Sequence, residues 1–275
     1  MPLARLDNEV IFKKAFTDKL VFTQFVKDIV GIEIEMDTIE TEKRFTPKIS
    51  CVDFAYDIFA ESKDNQAIIE LHRIHSDYEF KSFLPYHAMT IADMQRCTQN
   101  FTLNSTIYTI VFVMIPYVIK DKQGNLVRDD VLISDVNPKN RDGKVIDLYG
   151  HQLIFLCPGY RHENTPPSYA DWLDLVSESI KNPDNPNLNL QNEAIKKVAE
   201  LIDEDNLTAN EKGAAKIAAA QQETCKLYER MAKDEGIMAA KLETAQKMKA
   251  KGFDVDIIAE MTELDVETVN QIHID

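Results

Sequence analysis

Tyr56-Asp57-Ile58-Phe59-Ala60-Glu61, followed after a short polar stretch by Ile68-Ile69-Glu70-Leu71-His72, decides how the rest of the 275-residue chain is read. Both runs are rich in β-branched and aromatic residues. Ser62-Lys63-Asp64-Asn65 between them reads as a turn, so the segment predicts an antiparallel hairpin. With the turn centred between Lys63 and Asp64, Asp57 and Glu70 fall directly opposite each other. Opposed residues share a face, with Cβ atoms about 4.5–5.5 Å apart, and two like charges there destabilise the pair unless something compensates. A divalent cation with oxygen ligands is one such compensation. His72 lies on the Glu70 face. Asp53, four residues before Asp57, shares that face with Ile74 as its expected partner, which makes it an auxiliary at most. The alternative is an amphipathic hairpin with two ordinary solvated acids. The apolar surroundings, Ile68 included, weigh against it, because an unpaired carboxylate is expensive to bury. A register slip of one residue would separate the two acids.

Outward from the hairpin, residues 7–30 read as a helix, with Val10, Ile11, Phe16, Leu20, Phe22 and Phe25 at helical spacing and Gly31 as its stop. Residues 35–47 suit a first strand. Asp77 to Phe101 reads as mostly helical, with Pro85 marking a kink or a fresh first turn. The Val- and Ile-rich run from Thr106 reads as a buried strand, too short to span a bilayer as a helix. Residues 131–136 and 145–156 read as strands around Asn140-Arg141-Asp142-Gly143. Thr165-Pro166-Pro167-Ser168 opens a helix through Trp172. Asn182 to Asn189 reads as a loop, and from Gln191 a long helical stretch runs to residue 250. Two short helices, capped by Asp254 and Asp265, close the chain. Helix, three strands, helix and strand make an α/β mixed sheet flanked by helices. The expected division is a core over residues 1–182 and a helical region over 183–275 ending in a helix-turn-helix-like pair.

The chain carries 46 acidic and 31 basic residues, a net charge of −15, split as −5 up to residue 165 and −10 beyond it. A nonspecific nucleic-acid binder normally carries a basic footprint, so charge alone does not point to DNA. The acidic closing helix pair reads as a poor major-groove reader and better as an interaction or capping element. The long helix reads as a packing element through which copies of the chain could assemble. The four cysteines, Cys51, Cys97, Cys157 and Cys225, form no CxxC pair and read as reduced cytoplasmic thiols. The N-terminus has no apolar signal core. No phosphate-cradling Gly-rich loop, GxSxG or HExxH occurs, which argues against nucleotide hydrolases, serine hydrolases and zinc proteases. His72 and His75 face opposite ways on a strand, which disfavours a paired-histidine metal site. Arg73 is a candidate phosphate contact, or an ordinary surface arginine. Tyr86 reads as packing before DNA contact.

The run from Asp57 to His72 resembles the active-site hairpin of the PD-(D/E)XK nucleases. It most resembles a bacterial branch described as recombination-promoting nucleases or PD-(D/E)XK nuclease family transposases. The likeness extends over most of the chain: Asn8-Glu9-Val10-Ile11-Phe12-Lys13-Lys14-Ala15-Phe16 is similar to that family's opening helix. Phe83 to Ile91, Tyr108-Thr109-Ile110-Val111, His151 to Pro158, Thr165-Pro166-Pro167 with Trp172, and Lys249 to Thr262 continue it. The resemblance implies a restriction-endonuclease-like fold and a Mg²⁺-dependent DNA endonuclease linked to recombination or mobile elements, with Mn²⁺ as an alternative metal. It implies that Asp57, Glu70 and the Leu71 backbone carbonyl hold the metal, with Glu9 as an auxiliary acid and Gln95 facing the site. The sequence departs from the family at the third motif position, usually Lys or Gln and here His72. A neutral imidazole can orient water, accept a proton or ligate a metal, but lacks lysine's fixed charge. A basic residue usual at the start of the next helix is also out of register, Lys81 being nearest. The alternative function is a DNA-binding or protein-interaction module that keeps the fold with weakened catalysis.

Overall fold

The computed structural model describes residues 2–35, 38–45, 54–62, 67–74, 82–96 and 105–272, apart from the side chains of 43–45, 54–56, 67–71, 93–96, 226 and 229. The opening segment forms two helices, α1 (Glu9–Phe16) and α2 (Lys19–Val30), where the periodicity predicted one. Asp18 causes the break. Its side chain accepts the N–H groups of Leu20 and Val21 and starts a fresh helix. Gly31 ends α2 at φ 80°, donating its N–H to the Lys27 carbonyl.

Strands β1 (Thr38–Phe45), β2 (Phe54–Ser62) and β3 (Ala67–Ile74) follow, then α3 (Phe83–Arg96) and β4 (Thr106–Val113). Pro85 sits in the first turn of α3, where its missing N–H costs nothing. A small hairpin, β5 (Ile119–Lys120) with β6 (Leu126–Val127), was not legible in the sequence. Strands β7 (Val131–Asp135) and β8 (Gln152–Leu156) complete a six-stranded mixed sheet of order β1-β2-β3-β4-β8-β7. The pairs β1–β2, β2–β3 and β7–β8 are antiparallel; β3–β4 and β4–β8 are parallel. Helix α3 is the crossover that parallel pairing of β3 and β4 requires. Between β7 and β8 the Asn137 carboxamide oxygen accepts the N–H groups of Leu148, Tyr149 and Gly150 at 2.9, 2.7 and 3.3 Å, closing that loop on one side chain.

Alternate residues of each strand serve two cores. Ile58, Ala60, Ile110, Phe112, Ile154 and Leu156 pack with α1 and α2, and with α4 (Pro167–Lys181) and α5 (Glu193–Ile202). Aromatic rings dominate this side: Trp172 meets Phe25 edge-on with centroids 5.0 Å apart, and its indole N–H reaches Asp28 Oδ2 at 2.8 Å. The other face, with Phe59, Ile74, Ile107, Val111, Leu153 and Phe155, packs beneath α3.

The chain divides into compact units Met1–Ala215 and Lys216–Asp275, a boundary later than the expected 182/183. The reason is α5. It buries Ala194, Ile195, Val198, Ala199 and Ile202 in the same core as α1 and α2, and the Ile202 carbonyl accepts the Ala4 N–H. The helical stretch after residue 191 is also interrupted at Asp203 to Thr208 before α6 (Ala209–Ala250). In the second unit, α7 (Val255–Thr262) and α8 (Val266–Gln271) carry their expected Asp254 and Asp265 caps. Ile258, Ala259, Leu264 and Val269 pack on Ala245 of α6. Lys249 Nζ donates to the carbonyls of Val269, Asn270 and Ile272, each at 2.9 Å, so this cation is spent on the end of α8. Among the described residues no helix is long and apolar enough to cross a membrane.

Candidate functional site

The β2–β3 ladder runs from Ser62↔Ala67 to Ile58↔Leu71 and stops there, one residue short of Asp57. Glu70 pairs with Phe59, so the expected Asp57–Glu70 opposition is displaced by two positions. Ser62, expected to open the turn, instead belongs to β2 and pairs with Ala67; residues 63–66 lie outside the described residues. A two-residue shift preserves the face, so Asp57 and Glu70 remain on one side of the sheet by register, as diagonal neighbours. The β1–β2 ladder skips the same point: the rungs Thr41↔Ile58 and Lys43↔Tyr56 lie on either side of Glu42, whose φ is 54°.

With both ladders open at Asp57, its carboxylate reaches between the strands. Oδ2 accepts the Arg73 backbone N–H at 3.0 Å and lies 3.6 Å from Arg73 Nε. Burial raises the Asp57 pKa above the usual carboxylate value. The Arg73 charge and N–H, and the Lys13 charge, oppose the rise; Glu9 adds to it. Oδ1 has no hydrogen bond among the described residues. Asp57 lines a pocket of about 220 Å³ with His72, Arg73, Ile74, Ser82, Phe83 and Tyr86.

Arg73 faces the opposite side of the sheet from His72. Its Nη1 donates to the Asp7 carbonyl at 3.0 Å, its Nη2 is 3.8 Å from Glu9 Oε2, and its Cζ sits 5.2 Å from the centre of the Phe12 ring. It is 9% exposed, and the ordinary surface role considered for it is set aside by this burial. Nε is buried without a hydrogen-bond partner, so the guanidinium stands within ion-pair range of two acids and bonds to neither. Glu9 comes from the first turn of α1, which the Asn8 side chain caps by accepting the Val10 N–H at 3.1 Å. The structure thus brings Glu9, Asp57 and Arg73 together.

His72 is buried at 7% exposure, edge-on to the Phe83 ring at 5.2 Å. Burial, with a smaller contribution from Arg73, depresses its pKa to about 3, so it is a neutral pocket wall and a weak base. Tyr86 packs beside Phe83 at 5.7 Å while also lining the pocket. Leu71 lies opposite Ile58. The side chains of Glu70, Leu71 and Gln95 lie outside the described residues, as do Asp53, His75 and Lys81 altogether.

Sequence reasoning missed Lys13 and Glu42. Lys13 Nζ bonds Glu9 Oε1 at 2.5 Å and Glu42 Oε1 at 2.7 Å. The Glu9–Lys13 spacing of four on α1 was a usable signal; the left-handed backbone of Glu42 was not.

As a donor set the rim is made of oxygens, which suits hard cations such as Mg²⁺ or Mn²⁺. Among the described residues no three His, Cys, Asp or Glu side chains close on a common point. The fit therefore rests on Asp57, with its uncommitted oxygen, and on Glu70 sharing its face by register. No protein-family model, curated protein or solved structure matches the chain.

Proposed function

We propose that the protein is a metal-dependent DNA endonuclease with a restriction-endonuclease-like core, linked to recombination or mobile elements as its likeness to the PD-(D/E)XK nuclease family transposases implies. The observation that carries this reading is Asp57, a desolvated carboxylate held where the β2–β3 ladder ends and the β1–β2 ladder skips a rung, with Glu70 on its face by register. Asp57 and Glu70, with the Leu71 carbonyl, would hold Mg²⁺ or Mn²⁺. When bound, a divalent cation polarises a scissile phosphate and lowers the pKa of an attacking water. The residues themselves orient and screen. Arg73 fixes Asp57 through its N–H, Glu9 extends the acidic rim, and His72 walls the pocket without carrying charge. Two free cysteines among the described residues, buried Cys157 and exposed Cys225, fit a reducing cytoplasm.

One observation favours a second reading, a DNA-binding or interaction module with weakened catalysis: the third motif position is a buried histidine, pressed against Phe83, where the family usually has lysine or glutamine. Supercoiled-plasmid nicking with Mg²⁺ or Mn²⁺ separates the two. An endonuclease converts plasmid to open-circle or linear product, and Asp57→Ala and Glu70→Ala abolish conversion. The weakened module retards the plasmid without breaking it. Neither cleavage nor retention rejects both.

A further inference from the structure

Helix α6 carries an apolar seam that the described residues cover only at its C-terminal end. Ile217, Thr224, Met231, Met238 and Ala245 stand at intervals of seven, which places them along one side of the helix. Ala245 is fully buried beneath α7 and α8, with Leu242 packed beside it. Nearer the N-terminus the same side is bare. Ile217, Leu227, Tyr228, Met231 and Met238 are each 47–66% exposed, and Thr224 is exposed as well. Leu227 and Tyr228 precede Met231 by four and three residues and so widen the seam. A depression of about 290 Å³, lined by Glu223, Thr224, Leu227 and Arg230, opens along its flank. From residue 223 to 240 every described side chain of α6 is exposed. Helices in proteins draw most of their stability from a packed face, and Gly236 inside this stretch weakens it further.

We propose that a second copy of this chain covers the seam, α6 against α6, so that the protein is a dimer whatever the chemistry at Asp57. Continuity is one reason: the partner helix prolongs an apolar side that α7 and α8 already close at Ala245 within the chain. Charge is the other. At −15 the chain as a whole repels its own copies, yet residues 216–241 hold five basic and four acidic side chains. Two such stretches meet with little net repulsion, and their mixed signs can pair across the seam. A lipid surface or an acidic groove would call instead for a basic excess on the polar side of the helix. Met231 and Met238, unbranched and polarisable, adapt readily to a neighbour's surface.

The test is sedimentation equilibrium of the full-length protein, with far-UV circular dichroism over the same dilution series. Wild type is expected at twice the chain mass, and dilution that separates the copies should lower the helical signal as α6 is bared. Leu227→Glu combined with Met231→Glu is expected to weaken the dimer about 100-fold, roughly tenfold for each apolar anchor lost. Ala219→Glu should leave it unchanged, because residue 219 is exposed two places from Ile217 and so lies on the opposite side of the helix. If the double glutamate variant does not fold, Leu227→Ser with Met231→Ser carries the same expectation. A wild-type monomer at every soluble concentration overturns the proposal, as does a dimer indifferent to the changes at 227 and 231. A monomer whose helix content rises on vesicles of anionic phospholipid overturns it too, and assigns the seam to a membrane surface.

Discussion

Arg73 meets Asp57 twice: its backbone N–H reaches Oδ2 at 3.0 Å, and its side-chain Nε lies 3.6 Å from the same oxygen. One residue thus supplies both a directional bond and a diffuse charge to the acid on which the functional reading depends. Burial still prevails, and Asp57 remains harder to ionise than an ordinary aspartate.

A raised folded-state pKa means that the stabilising contribution is full below the unfolded-state value and is lost as pH rises through the folded one. At neutral pH ionised Asp57 is therefore a cost to the fold. Asp57→Asn keeps an acceptor for the Arg73 N–H and is expected to raise the melting temperature at pH 7 while abolishing cleavage. The gain should disappear near pH 3, where both states of the wild type are protonated. Thermal melts at the two pH values check this, and a gain of equal size at both would contradict the assignment.

Arg73→Ala removes a buried guanidinium from Asp57, Glu9, the Asp7 carbonyl and the Phe12 ring. Breaking one side of a buried ion pair costs about 3–5 kcal/mol, and urea unfolding should find a loss near the lower end because these pairs are long. Arg73→Lys should recover only part, since a point charge cannot span the same partners.

Two buried histidines predict acid sensitivity. His72, with its pKa depressed to about 3, and His87, at about 4, are both pushed down chiefly by burial. Depressed histidines contribute stability that is complete above the unfolded-state pKa and lost as pH falls through the folded value. Stability should therefore decline from about pH 6.5 toward pH 4, the interval in which the unfolded chain takes up these protons first. His87→Gln should flatten the decline. At the other position, His72→Gln should fold and increase metal-dependent nicking, whereas His72→Lys, burying an ammonium against Phe83, should lower the melting temperature.

Asn137→Ala withdraws the acceptor shared by Leu148, Tyr149 and Gly150. The loss should be roughly 1–3 kcal/mol, the cost of leaving partly buried donors unmet. Amide hydrogen exchange should quicken at residues 148–150 and leave β2 and β3 unchanged.

Strand identity was legible because the apolar periodicities of the chain are strong, from Thr106 to Val113 above all. The capping acids Asp254 and Asp265 and the stop at Gly31 were legible for the same local reason. The break at Asp18 was also written in the sequence, as a capping residue after Thr17, but the run of phenylalanines on either side masked it. Register is different. Whether Ser62 ends a strand or opens a turn is a one-residue question, yet it moves the partner of Glu70 from Asp57 to Phe59. The parity of the face survived that error, and the direct opposition did not. Arg73 looked like surface because only tertiary packing brings Phe12 and Asp7 against it.

The parallel pairing of β3 with β4, and of β4 with β8, has a kinetic consequence. The hairpin of β2 and β3 can close early, since its loop is short. Its apolar faces, however, gain their remaining neighbours only after the chain has returned through α3 and again at residues 152–156. High contact order of this kind slows folding, because the entropy of ring closure is lost before the distant contacts form. A polypeptide growing from its N-terminus therefore carries an acidic hairpin well before it carries a finished sheet, and truncation ahead of residue 156 should leave aggregation-prone strands with no assembled centre.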